Sequence, residues 1–326
     1  MKSLFMGTPD FAAKALISLS KCTDVVGVVT QGDKPKGRGY TLTPPPVKVC
    51  AESLGLPVYQ PDKIRGDEFA ALLSELSPEL ILVAAYGKIL PENVLSFPIY
   101  GCVNIHASLL PKYRGAAPIQ RAIMDGERET GVTFMYMDAG LDTGDMIFSR
   151  RVSIEDTDDF GTIHDKLAEA GADGVYELVA GLESGALTRT PQPRDGATYA
   201  AKIENADMAL DFSKSADEVS RKIRALSPMP LAYTHTKNGK LLKIISCAVA
   251  EGGEHTGNGE NAGAAKAGEI LSLSGGRVRV KCGRGSIEIL SCQPEGGRRM
   301  TAADLINGRR VALGDILSNE FVKSET

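Results

Sequence analysis

Apolar runs and amphipathic segments alternate over the first 150 residues of the chain. Runs with the length of buried strands are KSLFMG (2–7), DVVGVVT (24–30), LILVAAY (80–86) and GCVNIHA (101–107), and helix-like segments separate them. Such alternation is typical of βαβ units around a mostly parallel sheet. We therefore predict a Rossmann-like α/β domain at the start of the chain.

The edges of this domain carry clear local signals. Thr8-Pro9-Asp10 offers a capping hydroxyl, a proline and an acid, so the first helix is predicted to begin there. The runs TGVTFMYMD (130–138) and DMIFSRRVSI (145–154) predict two antiparallel strands joined by a glycine-rich loop. A long helix near 160–183 is predicted to close the domain.

The second part of the chain has a different pattern. Residues 190–206 are rich in Pro, Thr and Gly and weakly periodic, as an interdomain linker is. One amphipathic helix (215–226) and several short strands with tight glycine turns follow, which predict a small OB-like β-barrel. The expected division is a domain at 1–189, a linker at 190–206 and a second domain at 207–318, with a mobile loop at 251–268.

Composition agrees with two soluble domains. The chain has 326 residues, 43% hydrophobic and 24% charged. Its apolar runs fall far short of the roughly 20 residues that a bilayer-spanning helix needs, and no leader pattern stands at the start, so a cytoplasmic protein without membrane contact is expected. We also expect a monomer. The six cysteines are scattered without CxxC spacing, which indicates buried reduced thiols and no zinc site.

Charge is uneven along the chain. The net charge is −4, but residues 263–312 hold nine basic and four acidic side chains. A polyanion such as RNA would be attracted to that segment, and a simply solvated basic face fits the count equally well.

His106 has a different setting from the other histidines, which we expect to be structural or solvated. It ends an apolar strand at the carboxyl edge of a parallel sheet, where open α/β folds bind ligands. Asn104 lies two residues earlier and so on the same face, and an amide with an imidazole suits stabilisation of an oxyanion during acyl transfer. Polar residues at strand ends are nevertheless common, so an isolated Asn-x-His is more often structural.

Asp142 lies in the glycine-rich loop AGLDTGD (139–145). A carboxylate beside His106 would fix its tautomer and orientation, although spacing alone does not bring the two together. The flanking Asp138 and Asp145 have turn capping as the commoner alternative. No GxSxG, GxGxxG or GxxxxGKS occurs, which disfavours a serine hydrolase and nucleotide-cofactor use.

Residues 32–48, GDKPKGRGYTLTPPPVK, hold four basic side chains and one acidic one. Their glycines and prolines are expected to prevent regular structure, which predicts an exposed basic loop. Contact with phosphates or base edges and plain solvation are equally compatible with this composition.

Four segments together resemble the methionyl-tRNA formyltransferase family: FMGTPDFA (5–12), GRGYTLTPPPVK (37–48), VNIHASLLPKYRGAAPIQRAI (103–123) and AGLDTGD (139–145). The resemblance implies transfer of a formyl group from 10-formyltetrahydrofolate to methionyl initiator tRNA, without a metal. It implies that Asn104, His106 and Asp142 are catalytic. The folate-contacting residues would be Ser108, Leu109, Leu110 and Pro111, and the tRNA-contacting ones Lys34, Lys36 and Arg38.

Other formyltransferases share the NIHxSLLP pattern, among them enzymes acting on glycinamide ribonucleotide, on 10-formyltetrahydrofolate itself and on amino sugars. They are expected to differ after residue 190 or so, where this chain has a basic β-domain. An RNA-binding protein without catalysis would leave Asn104, His106 and Asp142 without a purpose.

Overall fold

The structure is a computed structural model, and it describes residues 1–36, 40–250 and 265–318. It divides into two compact units. The first comprises Met1–Pro118, Arg128–Ile154 and Ile163–Ala201, and the second comprises Ile119–Glu127, Glu155–Thr162 and the chain from Lys202 onward. The sequence-predicted boundaries at 189 and 207 stay a prediction. The predicted mobile loop at 251–268 lies outside the described residues except for its last four positions.

The first unit alternates strands and helices, in the order β1 (Lys2–Gly7), α1 (Asp10–Cys22), β2 (Asp24–Val29), β3 (Lys34–Lys36), β4 (Thr41–Thr43), α2 (Pro46–Ser53), β5 (Val58–Tyr59), α3 (Asp67–Leu76), β6 (Leu80–Ala84), α4 (Glu92–Leu95), β7 (Cys102–His106) and β8 (Arg114–Gly115). Next come α5 (Pro118–Asp125), which lies almost wholly in the second unit, and β9 (Glu129–Tyr136), β10 (Met146–Ser153), α6 (Phe160–Ser184) and β11 (Tyr199–Ala200).

Most strands of the first unit form one sheet, ordered β10-β9-β7-β6-β1-β2-β5. The pairs among β5, β2, β1, β6 and β7 are parallel, whereas β9 pairs antiparallel with both β7 and β10. The predicted mostly parallel, Rossmann-like sheet is confirmed. The chain builds outward from β1 on one side and then returns to place β6 on the other, so a topological switch point lies between β1 and β6. Ligands bind beyond the carboxyl ends of strands at such a point.

The central strands are buried along nearly their whole length. Leu4, Phe5 and Met6 of β1 are fully buried, as are Leu80, Ile81 and Leu82 of β6. Because helices cover both faces of a parallel sheet, its inner strands are continuous apolar runs rather than alternating ones. This is why the runs at 2–7 and 80–86 were readable from the sequence.

The first helix begins where the sequence predicts, but Thr8 does not cap it. Asp10 is the first helical residue and Pro9 occupies the N-cap position without a side-chain hydrogen bond. The Thr8 hydroxyl instead donates to the carbonyl oxygen of Tyr86, at 3.4 Å. The acidic Asp10 in the first turn suits the helix dipole.

The prediction that residues 32–48 lack regular structure is wrong in part. β3 and β4 pair antiparallel, with Lys34 opposite Thr43 and Lys36 opposite Thr41. Backbone hydrogen bonding tolerates proline on a two-stranded ribbon, because each strand is an edge with outward-facing groups. Arg38, between the two strands, lies outside the described residues.

The second unit is built on α7 (Asn205–Met208), α8 (Ala216–Leu226), β12 (Ala232–His235), β13 (Leu241–Val249), β14 (Ile270–Ser274), β15 (Arg277–Lys281), β16 (Ser286–Pro294), β17 (Met300–Thr301) and α9 (Ala302–Asn307). Its antiparallel sheet has the order β12-β13-β16-β15-β14. The segment 315–318 hydrogen-bonds at both edges of this sheet. Ser318 exchanges hydrogen bonds with His235 of β12, and Leu317 donates to the carbonyl oxygen of Gly268, two residues before β14. The sheet therefore closes on itself, as predicted for a small barrel.

The core of the second unit comes from the inner faces of these strands and from α8. Ser215 caps α8 by accepting from the backbone N–H of Glu218, whose side chain bonds back to Ser215. This capping box fixes the start of a helix whose Val219, Ile223 and Leu226 are buried in the barrel core. No helix within the described ranges combines the length and apolar character needed to cross a membrane.

All six cysteines are unpaired. Cys102, Cys282 and Cys292 are buried as predicted, whereas Cys22, Cys50 and Cys247 are partly exposed. Burial raises the pKa of the Cys102 thiol to about 12, so this group is an inert part of the core at neutral pH. Among the residues that the structure describes, no group of three or more His, Cys, Asp or Glu side chains is arranged to hold a metal ion.

Candidate active site

His106 is the last residue of β7 and is buried. Its Nε2 lies 2.9 Å from the carbonyl oxygen of Tyr113. A carbonyl oxygen only accepts hydrogen bonds, so Nε2 carries a hydrogen in this geometry and donates it. The expectation that Asp142 fixes the tautomer is therefore corrected, because the acceptor that fixes it is a backbone carbonyl seven residues along the chain. Nδ1 is the ring nitrogen that faces Asp142.

Asp142 lies beside that nitrogen. Its Oδ2 is 3.7 Å from His106 Nδ1 and accepts a hydrogen bond from the backbone N–H of Gly115, at 2.9 Å. The carboxylate is 17% exposed and the imidazole side chain 7%, so the pair is shielded from water on most sides. The structure thus brings His106 and Asp142 together, which their spacing in the sequence could not show.

The loop that carries Asp142 is held in a tight conformation. Asp142 itself has φ +52°, in the left-handed region that non-glycine residues seldom adopt. Asp138 caps the turn, since its carboxylate accepts from Thr143 Oγ1 at 2.8 Å and from the Gly140 N–H at 3.0 Å. A Cβ on Gly144 would clash with the carbonyl oxygen of Tyr136, so only glycine permits this close approach.

Asn104 lies two residues before His106 on β7, and both side chains therefore project to the same face of the sheet. Its backbone pairs with Val83 on one side and Met135 on the other, which fixes its position along the strand. The side chain is half-buried. This register places the amide on the same face of the sheet as the imidazole, as the strand period predicts.

Residues 113–115 hold both members of the pair, and sequence reasoning did not find them. Tyr113 supplies the carbonyl for His106, and Gly115 supplies the N–H for Asp142. Gly115 has φ +113°, and a Cβ there would lie 2.9 Å from the carbonyl oxygen of Ala200, which pairs with it across β8 and β11. Both contacts use backbone groups, which every residue type except proline carries, so no side chain marks them in the sequence.

Gln192 and Arg114 form a second contact to the same loop. The Arg114 guanidinium is buried and donates twice to Gln192 Oε1, at 3.0 and 2.6 Å. Gln192 Nε2 in turn donates to the carbonyl oxygens of Asp142 and Gly144, at 2.9 and 2.8 Å. Gln192 stands in the Pro-flanked segment that sequence analysis treated as a linker, so its role in the site was missed.

Tyr86 closes the neighbouring end of β6. Its ring is buried in the apolar core, and its carbonyl oxygen accepts from Gln31 Nε2 at 2.8 Å. Burial raises the pKa of its hydroxyl to about 12. The phenol is therefore neutral across the physiological range and does not act as a base.

The SLLP residues form a turn rather than an open surface. Ser108 is buried, and its hydroxyl donates to the carbonyl oxygen of Lys112, at 2.6 Å. Leu109 lies against Gly131 and Leu110 is buried, while Pro111 is partly exposed. The prediction that these residues contact folate stays a prediction. Because the Ser108 hydroxyl is bonded within the turn, such a contact would use the backbone and the apolar edges of the turn.

The predicted tRNA-binding residues are only partly described. Lys34 is exposed, and its Nζ donates to Gln31 Oε1 at 2.6 Å. Lys36 is described through its backbone pairing in β3, and Arg38 lies outside the described residues. The prediction that these cations contact tRNA stays a prediction.

Two family models match the chain. One, described as formyl transferase, covers residues 1–179, and another, described as formyl transferase C-terminal domain, covers residues 202–310. Together with the sheet and the Asn104, His106 and Asp142 arrangement, these matches define the chain as a formyl transferase.

Curated relatives narrow the class. A methionyl-tRNA formyltransferase from Macrococcus caseolyticus (strain JCSC5402) is 47% identical over 98% of this chain and 99% of its own length. One from Neisseria meningitidis serogroup C (strain 053442) is 45% identical over 97% of this chain and 100% of its own. The chain belongs to the methionyl-tRNA formyltransferase family.

Solved structures share the fold at low sequence identity. An N-formyltransferase from Helicobacter canadensis matches with a TM-score of 0.66 at 19% identity, over 89% of this chain and 98% of that one. A methionyl-tRNA formyltransferase from Clostridium thermocellum matches with a TM-score of 0.53 at 17% identity, over 78% and 95%. HypX from Aquifex aeolicus, in complex with tetrahydrofolic acid, matches with a TM-score of 0.63, and this chain spans 48% of its length. These likenesses concern the fold.

Proposed function

We propose that the protein transfers a formyl group from 10-formyltetrahydrofolate to the α-amino group of methionyl initiator tRNA. The observation that carries this proposal is the placement of His106 Nδ1 at 3.7 Å from Asp142 Oδ2, on the strand that also presents Asn104. The curated relatives that match nearly the full chain bear the name of this activity.

The proposed reaction is an acyl transfer between two nitrogens. The neutral α-amine attacks the formyl carbon, a C–N bond forms, and the carbonyl oxygen becomes an oxyanion. The bond from that carbon to N10 of the folate then breaks, and tetrahydrofolate leaves. One proton is lost by the attacking amine and one is gained by N10, so the pair His106 and Asp142 needs only to move a proton between the two nitrogens.

Each side chain has a separate part in this scheme. The Asn104 amide and His106 Nδ1–H donate to the oxyanion as it forms. Asp142 stabilises the imidazolium and accepts the proton of the amine. Tyr113, by holding Nε2, keeps Nδ1 directed to the reacting carbon, and this preorganisation avoids reorienting the ring during the reaction.

The donor and the acceptor are recognised by different surfaces in this proposal. The turn of Ser108, Leu109, Leu110 and Pro111 contacts the folate through its backbone and apolar edges, because a pterin ring is flat and largely apolar. Lys34, Lys36 and Arg38 contact the tRNA. Basic strands of the barrel, with Arg277 and Arg279, follow its phosphate backbone and make binding dependent on salt.

We further propose that the protein acts as a cytoplasmic monomer, and that its functional division follows the predicted domains at 1–189 and 207–318. The chemistry above takes place on His106, Asp142 and Asn104 and has no step that requires a metal. The basic barrel accounts for an RNA substrate, which an enzyme acting on a small amine would not need.

An acceptor comparison tests the function. Purified protein is supplied with 10-formyltetrahydrofolate and, in separate reactions, with methionyl initiator tRNA, glycinamide ribonucleotide or a nucleotide-linked amino sugar. We expect formylmethionine from the first and no formylated product from the others. Formylation of a small-molecule acceptor but not of the tRNA would reject the tRNA assignment. RNA binding without any formyl transfer would indicate an RNA-binding protein that is not an enzyme.

A further inference from the structure

We infer that Gln192 is a positioning residue, which holds the loop of Asp142 in its reactive conformation and is itself held by Arg114. This inference rests on the proposed function, since it concerns the formyl transfer at the same site. It assigns a part in the reaction to a segment whose composition is that of a linker.

The hydrogen bonds determine which way the Gln192 amide faces. Arg114 has only donors, so the atom that lies 3.0 Å from its Nε and 2.6 Å from its Nη2 is the amide oxygen. The amide nitrogen therefore points to the loop. Its two hydrogens match two acceptors, the carbonyl oxygens of Asp142 at 2.9 Å and Gly144 at 2.8 Å. All the hydrogen-bonding capacity of the nitrogen is used on this loop.

The two carbonyls that Gln192 holds directly follow a strained position. Asp142 has φ +52°, which costs free energy for a residue with a Cβ. A loop without support would relax from this conformation, and the carboxylate would turn with it. By bonding to the carbonyls of Asp142 and of the residue two further on, Gln192 opposes that relaxation. The carboxylate then stays on the Gly115 N–H and near His106 Nδ1.

The neighbouring backbone supports Gln192 on both sides. Thr190 and Met146 exchange two backbone hydrogen bonds, and Ala200 accepts from the N–H groups of Ala116 and Ala117. Arg114 itself lies in β8 between Tyr113 and Gly115, which hold His106 and Asp142. Three consecutive residues, 113–115, thus position the imidazole, the carboxylate and, through Gln192, the loop backbone.

The test combines two substitutions at Gln192. Gln192→Ala removes every contact of the amide. Gln192→Glu keeps an acceptor for Arg114 but sets a carboxylate oxygen against the two loop carbonyls. We expect both variants to lower kcat by about 10- to 100-fold, because a displacement near 1 Å at the reacting groups has an effect of this size. KM for either substrate should change by less than about twofold, as expected when only the transition-state geometry is lost.

A second substitution distinguishes positioning through Asp142 from a general structural role. In an Asp142→Asn background the carboxylate is already absent, so adding Gln192→Ala should lower kcat by less than about threefold more. Asp195→Asn, an exposed change three residues along the same segment, serves as the matched control and should leave the rate unchanged. Thermal unfolding of each variant shows whether the fold is intact.

The outcomes separate this inference from the proposed function. No formylmethionine from the wild-type protein would reject the function. An active wild type with a Gln192→Ala variant of equal kcat would reject the positioning role. The positioning role would also be overturned if the rate losses of Asp142→Asn and Gln192→Ala multiplied fully in the double variant, or if Gln192→Glu had the wild-type rate. Neither result agrees with action through the Asp142 loop.

Discussion

Asp142→Asn changes the charge beside His106 while keeping the size of the side chain and an oxygen for the Gly115 N–H. Its effect follows from the distance between Oδ2 and Nδ1. At 3.7 Å and an effective dielectric constant of about 20, a carboxylate and an imidazolium attract by about 4.5 kcal/mol. Each 1.4 kcal/mol or so is a factor of ten in rate, so complete loss of this attraction would slow transfer by about three powers of ten.

Two features of the site reduce that figure. The carboxylate is 17% exposed, so water screens part of the attraction. The imidazolium also shares its Nδ1 proton with the oxyanion at the transition state, so its own positive charge is reduced there. We therefore expect Asp142→Asn to lower the single-turnover rate by about 10²- to 10³-fold.

The assay measures formylmethionyl-tRNA under single-turnover conditions, so that product release does not hide the chemical step. Asp145→Asn, the same change three residues away in the same loop, is the matched control and should stay within about twofold of wild type. A loss below about fivefold in Asp142→Asn, with the tRNA and folate saturating, would mean that the carboxylate does not act on the imidazole.

Three other predictions concern the frame around the site and the second unit. Gly115→Ala forces φ +113° on a residue with a Cβ, and that Cβ meets the Ala200 carbonyl. Urea unfolding should show that the free energy of unfolding falls by about 1–3 kcal/mol. An unchanged free energy of unfolding would mean that the strand shifts freely. The pKa of the Asp207 carboxyl is held below its ordinary value, first by the hydrogen bond from Arg121, so its stabilisation is present above that ordinary value and is lost as the pH falls through the lowered one. The difference in melting temperature between wild type and Asp207→Asn should therefore be constant from neutral pH to about 5 and shrink below about 4; a difference that grows in acid would contradict this. Glu288 pairs with Arg277 and Arg279, so Glu288→Gln should lower KM for tRNA and steepen its salt dependence, and an unchanged salt slope would remove these strands from the RNA surface.

The fold was predictable where burial leaves a pattern. Inner strands of a parallel sheet are covered on both faces, and the runs at 2–7 and 80–86 show this directly as unbroken apolar sequence. The hairpin of β3 and β4 was not predictable, because Gly and Pro around Lys34–Lys36 dominate its composition while its pairing depends on backbone bonds alone. Thr8 failed as a cap because its hydroxyl donates to the distant Tyr86 carbonyl.

Some features of the candidate site were likewise predictable from the sequence, and others were not. His106 and Asn104 share a face because the strand period is two, which a sequence displays. That Asp142 reaches His106 depends on a left-handed conformation and on the Gly115 N–H, and neither has a residue-type signature. Gln192 contacts a residue 50 positions away, so only the folded chain relates the two.

Isotope transfer from the donor shows whether His106 and Asp142 act together on a formyl carbon. The donor carries an isotopic label in its formyl group, and transfer of that label to methionyl initiator tRNA is followed in wild type and in His106→Ala at equal tRNA occupancy. We expect labelled formylmethionine from the wild type and a rate at least about 10²-fold lower from a folded His106→Ala variant. Label transfer at the wild-type rate without the imidazole would contradict it.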